Sequence, residues 1–576
     1  MTDTTFMSAL NEIMAPLMPH LLLAPILLPL LTAALLLLMP ESRQRFKLIV
    51  NLFSTLLGLG ISMALLVWAD QQGAASTMDV YLAGNWPAPY GIVLALDRLS
   101  ALMLVLASVI ALASVVFSAA RWHRAGVNFH PLFQLQLMGL CGAFLTADLF
   151  NLFVFFEIML AASYGLLLHG SGRARVQSGL HFIAINLAAS SLFLIGASML
   201  YGITGTLNMA DLAQSIPEVL EADQGLLHTA AGILATAFLI KAAVWPLNFW
   251  LVPAYSAATA PVGALFAIMT KVGIYVILRL WLLLFGSDAG ASAQFGSLWL
   301  IAGGMLTMVF GAIGMLGAQR LGYLAGFAAI LSSGSLLAAV GFGQNSLTAG
   351  LLYYLPSSTL AISALFLLAD LMDRWRNDGA SQAPYDHDDA PFLTAELVPA
   401  KGLNLDDAEE ALTGRVIPAA VALLGLAFMA CTLVITGLPP LSGFVGKFAM
   451  LTALLNPLGL GIPAAQSPDA AGWTLLALLI GTGLIALMAL TRAGILHFWA
   501  TYDRAPLQLR LLEGLPIAGL LGACVAMTVL AGPVMRYMQD TANALHTPGL
   551  YIKAVMSARP IPGPQAPRVE PAKEAP

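Results

Sequence analysis

Apolar stretches about as long as a bilayer is thick recur along almost the whole chain. A helix needs about 20 such residues to cross the hydrocarbon. About fourteen candidates can be marked, at 21–39, 47–68, 92–118, 131–147, 149–168, 176–204, 227–250, 259–286, 298–317, 321–342, 347–372, 416–455, 472–495 and 511–534. Only 10% of the residues are charged and 59% are hydrophobic, against roughly 25% charged in an average soluble protein. No water-facing surface can be built from such a chain, so lipid must be its main solvent. The expected fold is all-α, a polytopic membrane protein of about 14 transmembrane helices.

Basic residues test this reading independently, because short loops rich in Lys and Arg stay in the cytoplasm. Taken in order, the odd connections hold Arg43, Arg45 and Lys47; Arg121 and Arg124; Arg173 and Arg175; Arg320; Arg374, Arg376, Lys401 and Arg415; and Arg492, Arg504 and Arg510, with the seventh uncharged. The even connections carry acids instead, among them Asp79, Asp211, Glu218, Glu221, Asp223, Asp288 and Asp469. A missed or invented span would invert every later loop. Both termini are therefore expected outside, in the periplasm of a bacterial cell with the body in its inner membrane, although Lys553, Arg559, Arg568 and Lys573 run against that placement at the C-terminal end. Residues 1–20 contain no Lys or Arg, so no cleaved signal peptide is expected. Residues 373–415 read as a cytoplasmic loop, and the Pro-rich end from Pro560 as disordered.

Several function classes lack support. The net charge of −5 is spread thinly, without the basic clusters that nucleic acid requires. Cys141, Cys431 and Cys524 sit in apolar stretches without metal-ligand spacing, and read as packing residues. No Gly-rich phosphate loop, nucleophile elbow or His/Cys cluster is present. Neither a cofactor nor a metal is expected, and the chain reads as part of a transporter, not an enzyme.

What remains is a handful of charges inside the spans: Glu157, Lys241, Lys271, Arg279 and Lys447, with Asp97, Arg98 and Asp148 near span ends. Each costs about 2.5–3.5 kcal/mol at a helix centre, whereas a central Leu returns about 0.3–0.6. Such groups should face the protein interior or water and by default mark a pathway. Glu157 lies in Leu152-Phe153-Val154-Phe155-Phe156-Glu157-Ile158-Met159-Leu160. A buried Glu–Lys pair is weak stabilisation for its desolvation cost, but it is easily biased by a third charge; a fixed pair that only ties two helices together is the plainer use of the same residues. Lys241 stands five residues before Pro246, and proline breaks a helix by removing a hydrogen bond and clashing with the preceding turn. Lys447 follows Gly437-Leu438-Pro439-Pro440-Leu441-Ser442-Gly443. Two interrupted helices bearing lysine, in separate halves of the chain, are the sequence sign of a transporter built from repeats. Lys271 follows one span later, and His181 is a candidate member of a water wire. Arg279, nearer its span end, is expected to snorkel, and Asp97-Arg98 to start a helix or touch a neighbouring protein.

These residues carry a resemblance. Gly84-Asn85-Trp86-Pro87-Ala88-Pro89-Tyr90-Gly91-Ile92, Leu96-Asp97-Arg98-Leu99-Ser100, the run from Asp148 to Glu157, Lys241 to Trp250 and Gly437 to Lys447 resemble the D subunits of the multisubunit Mrp-type (Pha or Mnh) monovalent cation/proton antiporters. More distantly, the chain is similar to antiporter-like subunits of NADH:quinone oxidoreductase (complex I) and membrane-bound hydrogenases. The resemblance implies fourteen helices with two inverted five-helix repeats, each with a broken helix. On this chain that means helices 1–3 in 1–130, a first repeat in 131–286, a second in 298–495 around the loop 373–415, and a last helix with its tail in 511–576. It also implies Glu157 and Lys241 as an interacting pair, Lys271 as a bridging lysine and Lys447 as the terminal lysine. Relatives often carry His or Lys in the eleventh span, where this chain reads Tyr353-Tyr354-Leu355-Pro356-Ser357-Ser358-Thr359, so hydroxyls and water have to bridge Lys271 to Lys447.

The expected function is proton translocation through these Glu and Lys residues, coupled to Na⁺ or K⁺ efflux and carried out with other small hydrophobic subunits. The alternatives are a proton-pumping component of a respiratory or hydrogenase complex, and a non-transporting assembly scaffold.

Overall fold

The computed structural model describes residues 18–71, 78–124, 126, 128–380, 419–458, 467–499 and 509–560. Its principal helices are α1 (Ala24–Leu38), α2 (Gln44–Gln71), α3 (Arg98–Ala120), α4 (Phe129–Leu145), α5 (Leu149–Leu167), α6 (Arg173–Thr204), the short α7 (Met209–Ser215), α8 (Gln224–Lys241), α9 (Leu251–Ala257), α10 (Ala260–Leu284), α11 (Ser297–Gly317), α12 (Leu321–Gly341), α13 (Asn345–Ala380), α14 (Ala419–Thr436), α15 (Ser442–Leu455), α16 (Ala470–Gly494), α17 (Leu511–Val529), α18 (Ala531–Leu545) and α19 (Pro548–Met556). Among the described residues, twelve helices are long and apolar enough to cross a bilayer. The shorter α1 and α4 occupy the first and fourth expected spans, and α15 is the second half of the expected span 416–455. The helix count is thus consistent with about fourteen crossings.

Three expected boundaries move. The third span does not begin at 92, because Val93–Leu96 (β2) pairs antiparallel with Asp79–Leu82 (β1), in register Asp79 to Leu96 and Leu82 to Val93. Helix α3 starts only at Arg98: the Asp97 carboxylate accepts the Ser100 amide while the Ser100 hydroxyl accepts the Asp97 amide, a reciprocal cap that satisfies two of the orphan donors at a helix start. The last expected span, 511–534, divides at Leu530. In a continuous helix the Pro533 ring would meet the carbonyl of Val529, and α18 carries Arg536, Gln539, Asp540 and Asn543, too polar a set for lipid. This helix instead lies on protein. The Tyr537 hydroxyl donates to the Arg98 carbonyl at 2.8 Å, and the Asn345 amide donates to Asn543 at 2.8 Å. Finally, α13 runs past residue 373 to Ala380, tied by Arg374 to Asp370 at 3.0 Å and to Glu513 at 2.8 Å. The rest of the expected loop, and the Pro-rich tail beyond Pro560, lie outside the described residues.

The interior is organised around α10 and α13, whose apolar stretches are buried along their whole length, with α12 almost as enclosed. Helices α2, α6, α11, α16 and α17 form the periphery and turn residues such as Phe53, Leu180, Ile313, Leu484 and Leu515 outward, as lipid contact requires. Small residues bring α11 and α12 to backbone contact: a methyl group on Gly311 would stand 2.7 Å from the Leu331 nitrogen.

Arg279 does not snorkel. It is buried on α10 and makes a two-pronged pair with Asp97, at 2.6 and 2.7 Å, with its guanidinium 5.4 Å from the centre of the Tyr551 ring. One residue, Asp97, therefore starts α3 and locks it to the central helix. Removing one partner of a buried pair leaves an uncompensated charge and costs roughly 3–5 kcal/mol, whereas removing both is often neutral. Asp97→Ala should thus lower the thermal midpoint of the detergent-solubilised protein sharply, and the double variant Asp97→Ala/Arg279→Met should recover most of the loss; equal losses in both would mean that the pair contributes little.

Candidate proton path

Each expected pathway lysine sits where a helix is interrupted or where a neighbouring helix presents hydroxyls. Lys241 is the last residue of α8. Pro246 prevents the helix from continuing, and the segment to Trp250 is irregular, with Ala243 at φ 55°. Such backbone survives at membrane depth only when protein or water satisfies it. Here the Trp245 amide donates to the Thr307 hydroxyl of α11 at 2.9 Å. The buried Asn248 Nδ2, Trp250 Nε1, Tyr255 Oη and Thr259 Oγ1 have no protein partner, a concentration of unsatisfied groups that buried water ordinarily serves.

Glu157, half-buried on α5, accepts a hydrogen bond from the Ser190 hydroxyl of α6. Lys241 is buried, with Nζ 4.9 Å from the centre of the Phe156 ring, close enough for a cation–π attraction. The Glu157 carboxylate is held by Ser190 and acts on Lys241 through space; among the described residues the two form no direct ion pair. A cavity of about 20 Å³ lies beside Lys241, lined among others by Phe156, Asn186, Trp250, Met269 and Gly273. That is room for about one water molecule, between Lys241 and the turn of α10 that bears Lys271.

Lys271 is fully buried and donates to the Ser333 hydroxyl of α12 at 3.1 Å, with the Ala329 carbonyl at 3.5 Å. The neighbouring Ser332 hydrogen-bonds Ser358 of α13 at 2.9 Å. Ser357 bonds Ser442, the first residue of α15, at 2.7 Å. Lys447, one turn further along α15, lies 5.7 Å from the centre of the Tyr354 ring. Its Nζ donates to the carbonyls of Thr436 at 2.9 Å and Ile435 at 3.2 Å. Those carbonyls come at the end of α14, where the break at Gly437 (φ 79°) leaves them without intrahelical donors. The interruption thereby supplies the lysine with its solvation.

The structure brings Glu157 and Lys241 together, and sets Lys271 and Lys447 at opposite ends of a set of hydroxyls. His181 is not part of this arrangement: it is exposed on α6, its Nδ1 3.0 Å from the Gln177 carbonyl of its own helix. Sequence reading missed Ser332 and Ser333, although the run Ser332-Ser333-Gly334-Ser335 inside an apolar stretch was a usable signal. It also placed Lys47 among the loop charges, whereas Lys47 is only 2% exposed. Asp97 and Arg279, paired as described, line an outer cavity of about 500 Å³ with Arg98 and Asp540, which no sequence pattern indicated.

A family model described as NADH:quinone oxidoreductase/Mrp antiporter, TM, matches residues 146–385. The chain is 52% identical over 543 residues to the D subunit of a probable K(+)/H(+) antiporter of Rhizobium meliloti, covering 94% of this chain and 98% of that protein. It is 32% identical over 546 residues to the D subunit of the Na(+)/H(+) antiporter of Alkalihalophilus pseudofirmus, covering 94% and 100%. In fold it is similar to a chain of the Mrp complex from a Dietzia species, with TM-score 0.77, 24% identity and coverage of 94% and 99%. A chain of an archaeal membrane-bound sulfane sulfur reductase superposes almost as well, with TM-score 0.76, 20% identity and coverage of 93% and 100%.

Ser333 provides the side-chain hydrogen bond to the Lys271 ammonium, and an ammonium stripped of a buried partner is costly. Ser333→Ala should therefore destabilise the protein by about 1–3 kcal/mol, seen as a lower thermal midpoint in detergent; the same change in a Lys271→Met background should cost much less. Equal costs in both backgrounds would show that the contact with Lys271 is not what Ser333 contributes.

Proposed function

We propose that this chain, which belongs to the D-subunit family of the Mrp-type multisubunit monovalent cation/proton antiporters, is the proton-translocating component of such an antiporter in a bacterial inner membrane. The observation that carries the proposal is the repeated device of a helix broken at membrane depth next to a buried lysine, at Lys241 and again at Lys447, with Lys271 and a line of hydroxyls between them. Nothing in packing alone calls for three desolvated ammonium groups in the most enclosed part of the molecule.

In this reading, residues 131–286 and 298–495 are the two inverted repeats, each contributing one broken helix. A proton arriving at or leaving Glu157 changes the field on Lys241, which is held by an aromatic face and not by a carboxylate, so its charge is easily biased. Lys241 exchanges its proton through the small adjoining cavity toward Lys271. Ser333, Ser332, Tyr354, Ser358, Ser357 and Ser442 can each donate and accept, and carry the exchange on toward Lys447. Proton flow inward drives cation outward. K⁺ is the cation to test first, because the 52% identical relative is named for K(+)/H(+) exchange. Other small hydrophobic subunits complete the complex and contribute to the cation path, so the chain alone performs no antiport and no chemical catalysis. The alternation of basic and acidic loops supports a periplasmic side for both termini.

In everted vesicles containing the complete complex, Glu157→Ala and Lys241→Ala should each abolish the cation-dependent dissipation of a pH gradient while the complex still assembles on native gels. Near-normal exchange in either variant would remove that residue from the mechanism. Loss of assembly along with activity would favour a scaffold, and copurifying flavin or iron–sulfur proteins would favour the electron-driven complexes that share this fold.

A further inference from the structure

Helix α6 packs against both α5, which carries Glu157, and α8, which carries Lys241. Its buried face includes Phe182, Asn186, Ser190 and Phe193, spaced by three or four residues and so stacked on one side of the helix. Ser190 holds the Glu157 carboxylate. Asn186, one turn earlier and 5% exposed, borders the cavity of about 20 Å³ beside Lys241. The Asn186 amide nitrogen donates to the Phe182 carbonyl at 2.9 Å. A carbonyl can only accept, so this bond fixes which way the side-chain amide faces. The nitrogen is committed to the helix, and Oδ1 is left as the acceptor.

Two polar groups on this cavity have no hydrogen-bond partner among the described residues. Asn186 Oδ1 receives no donor. The Lys241 ammonium has three N–H groups to donate, and its contacts are the Phe156 ring and the field of Glu157, neither of them a hydrogen bond. A buried ammonium without an acceptor and a buried amide oxygen without a donor are each costly. On the border of one small cavity they are complementary. Trp250, on the same border, adds an indole N–H without a protein partner. The remaining lining side chains, Phe156, Met159, Leu160, Met269 and Val272, are apolar. A buried water needs roughly 10–15 Å³ of room and two to four polar partners, and this cavity offers both.

We propose that this cavity is the binding site of one ordered water, held between the Lys241 ammonium and Asn186 Oδ1, and that Asn186 is the residue that positions it. Lys241 donates to the water oxygen, and the water donates one O–H to Oδ1. A water held from that side keeps a lone pair turned to Lys241, the geometry in which a proton can leave the ammonium. Asn186 itself takes and gives no proton. The second O–H is free to turn toward the wall formed by Met269, Val272 and Gly273, the turn of α10 that contains Lys271. Through Ser190 and Asn186, α6 thus places the Glu157 carboxylate and the Lys241 water together. An apolar side chain at position 186 removes the acceptor that orients the water. The part this water plays in exchange rests on the proposed antiport; its presence does not.

The test uses the purified complete complex and everted vesicles that contain it. An experimental density map of the complex, at a resolution that shows ordered water, should place one water within hydrogen-bond distance of both Lys241 Nζ and Asn186 Oδ1. The map of Asn186→Leu should lack it. In vesicles, Asn186→Leu should lower the maximal exchange rate by about tenfold, the worth of one hydrogen bond to a charged group, and leave the cation concentration at half-maximal rate unchanged. Asn186→Ser, whose hydroxyl accepts and whose smaller volume admits a second water, should retain most of the rate. A cavity without water in the unaltered complex overturns the site, and a water that persists in Asn186→Leu overturns the assignment of Asn186. Equal losses in the two variants, or a shifted half-maximal cation concentration, overturn the positioning role. If Asn186→Leu does not assemble, the map of the unaltered complex and the rate of Asn186→Ser decide. Because the map is read without any ion gradient, an inactive complex fails the antiport reading and leaves the water site standing, whereas a dry cavity in a complex that exchanges normally fails the water site alone.

Discussion

An ammonium group buried in a membrane protein has to be solvated by something other than bulk water, and the buried lysines Lys241, Lys271 and Lys447 obtain that solvation in three different ways. Lys447 uses backbone carbonyls released where α14 stops. Lys271 uses a serine hydroxyl and a weaker carbonyl contact on α12. Lys241 uses the face of Phe156 and the more distant field of Glu157. Each arrangement holds a cation without cancelling it by a contacting carboxylate. Charges held this way remain responsive to their neighbours, whereas a close Asp–Arg pair such as Asp97 with Arg279 is fixed by two short hydrogen bonds.

This division explains why the helices are broken where they are. Pro246 and the Gly437 to Pro440 turn disrupt hydrogen bonding that lipid cannot replace, and the freed groups become a polar lining inside an otherwise apolar body. Around Lys241 the lining includes several side-chain atoms without protein partners; around Lys447 it is closed by the lysine itself. The central helices α10 and α13 can carry Lys271 and the hydroxyls because nothing but protein surrounds them. The peripheral helices, which meet lipid, carry apolar residues on their outer faces.

Fixed electrostatics and responsive electrostatics are also kept apart in space. Asp97, Arg98 and Arg279 gather at the ends of α3 and α10, under the amphipathic α18, and tie the termini of several helices together. The histidines and Lys47 gather at the opposite end of α3. Between these two ends runs the line from Glu157 to Lys447, at a depth where a small number of hydroxyls and little cavity volume connect the titratable groups.

Much of the architecture was legible in the residues because the bilayer imposes a length and a polarity on every crossing. Runs of apolar residues, alternating loop charges and two Pro-interrupted segments with lysine mark the helices, their breaks and Glu157, Lys241, Lys271 and Lys447 before any contact is known. What the residues by themselves did not disclose is which charge meets which partner. Arg279 reads as a snorkelling side chain until α3 brings Asp97 to it from 182 positions away, and Lys47 reads as a loop charge until tertiary packing buries it. Ser332 and Ser333 acquire meaning only when α12 lies between Lys271 and Tyr354. Burial and span length are local properties of a helix and are written in its composition; the pairing of polar groups across helices is set by packing, and only the tertiary structure could decide it.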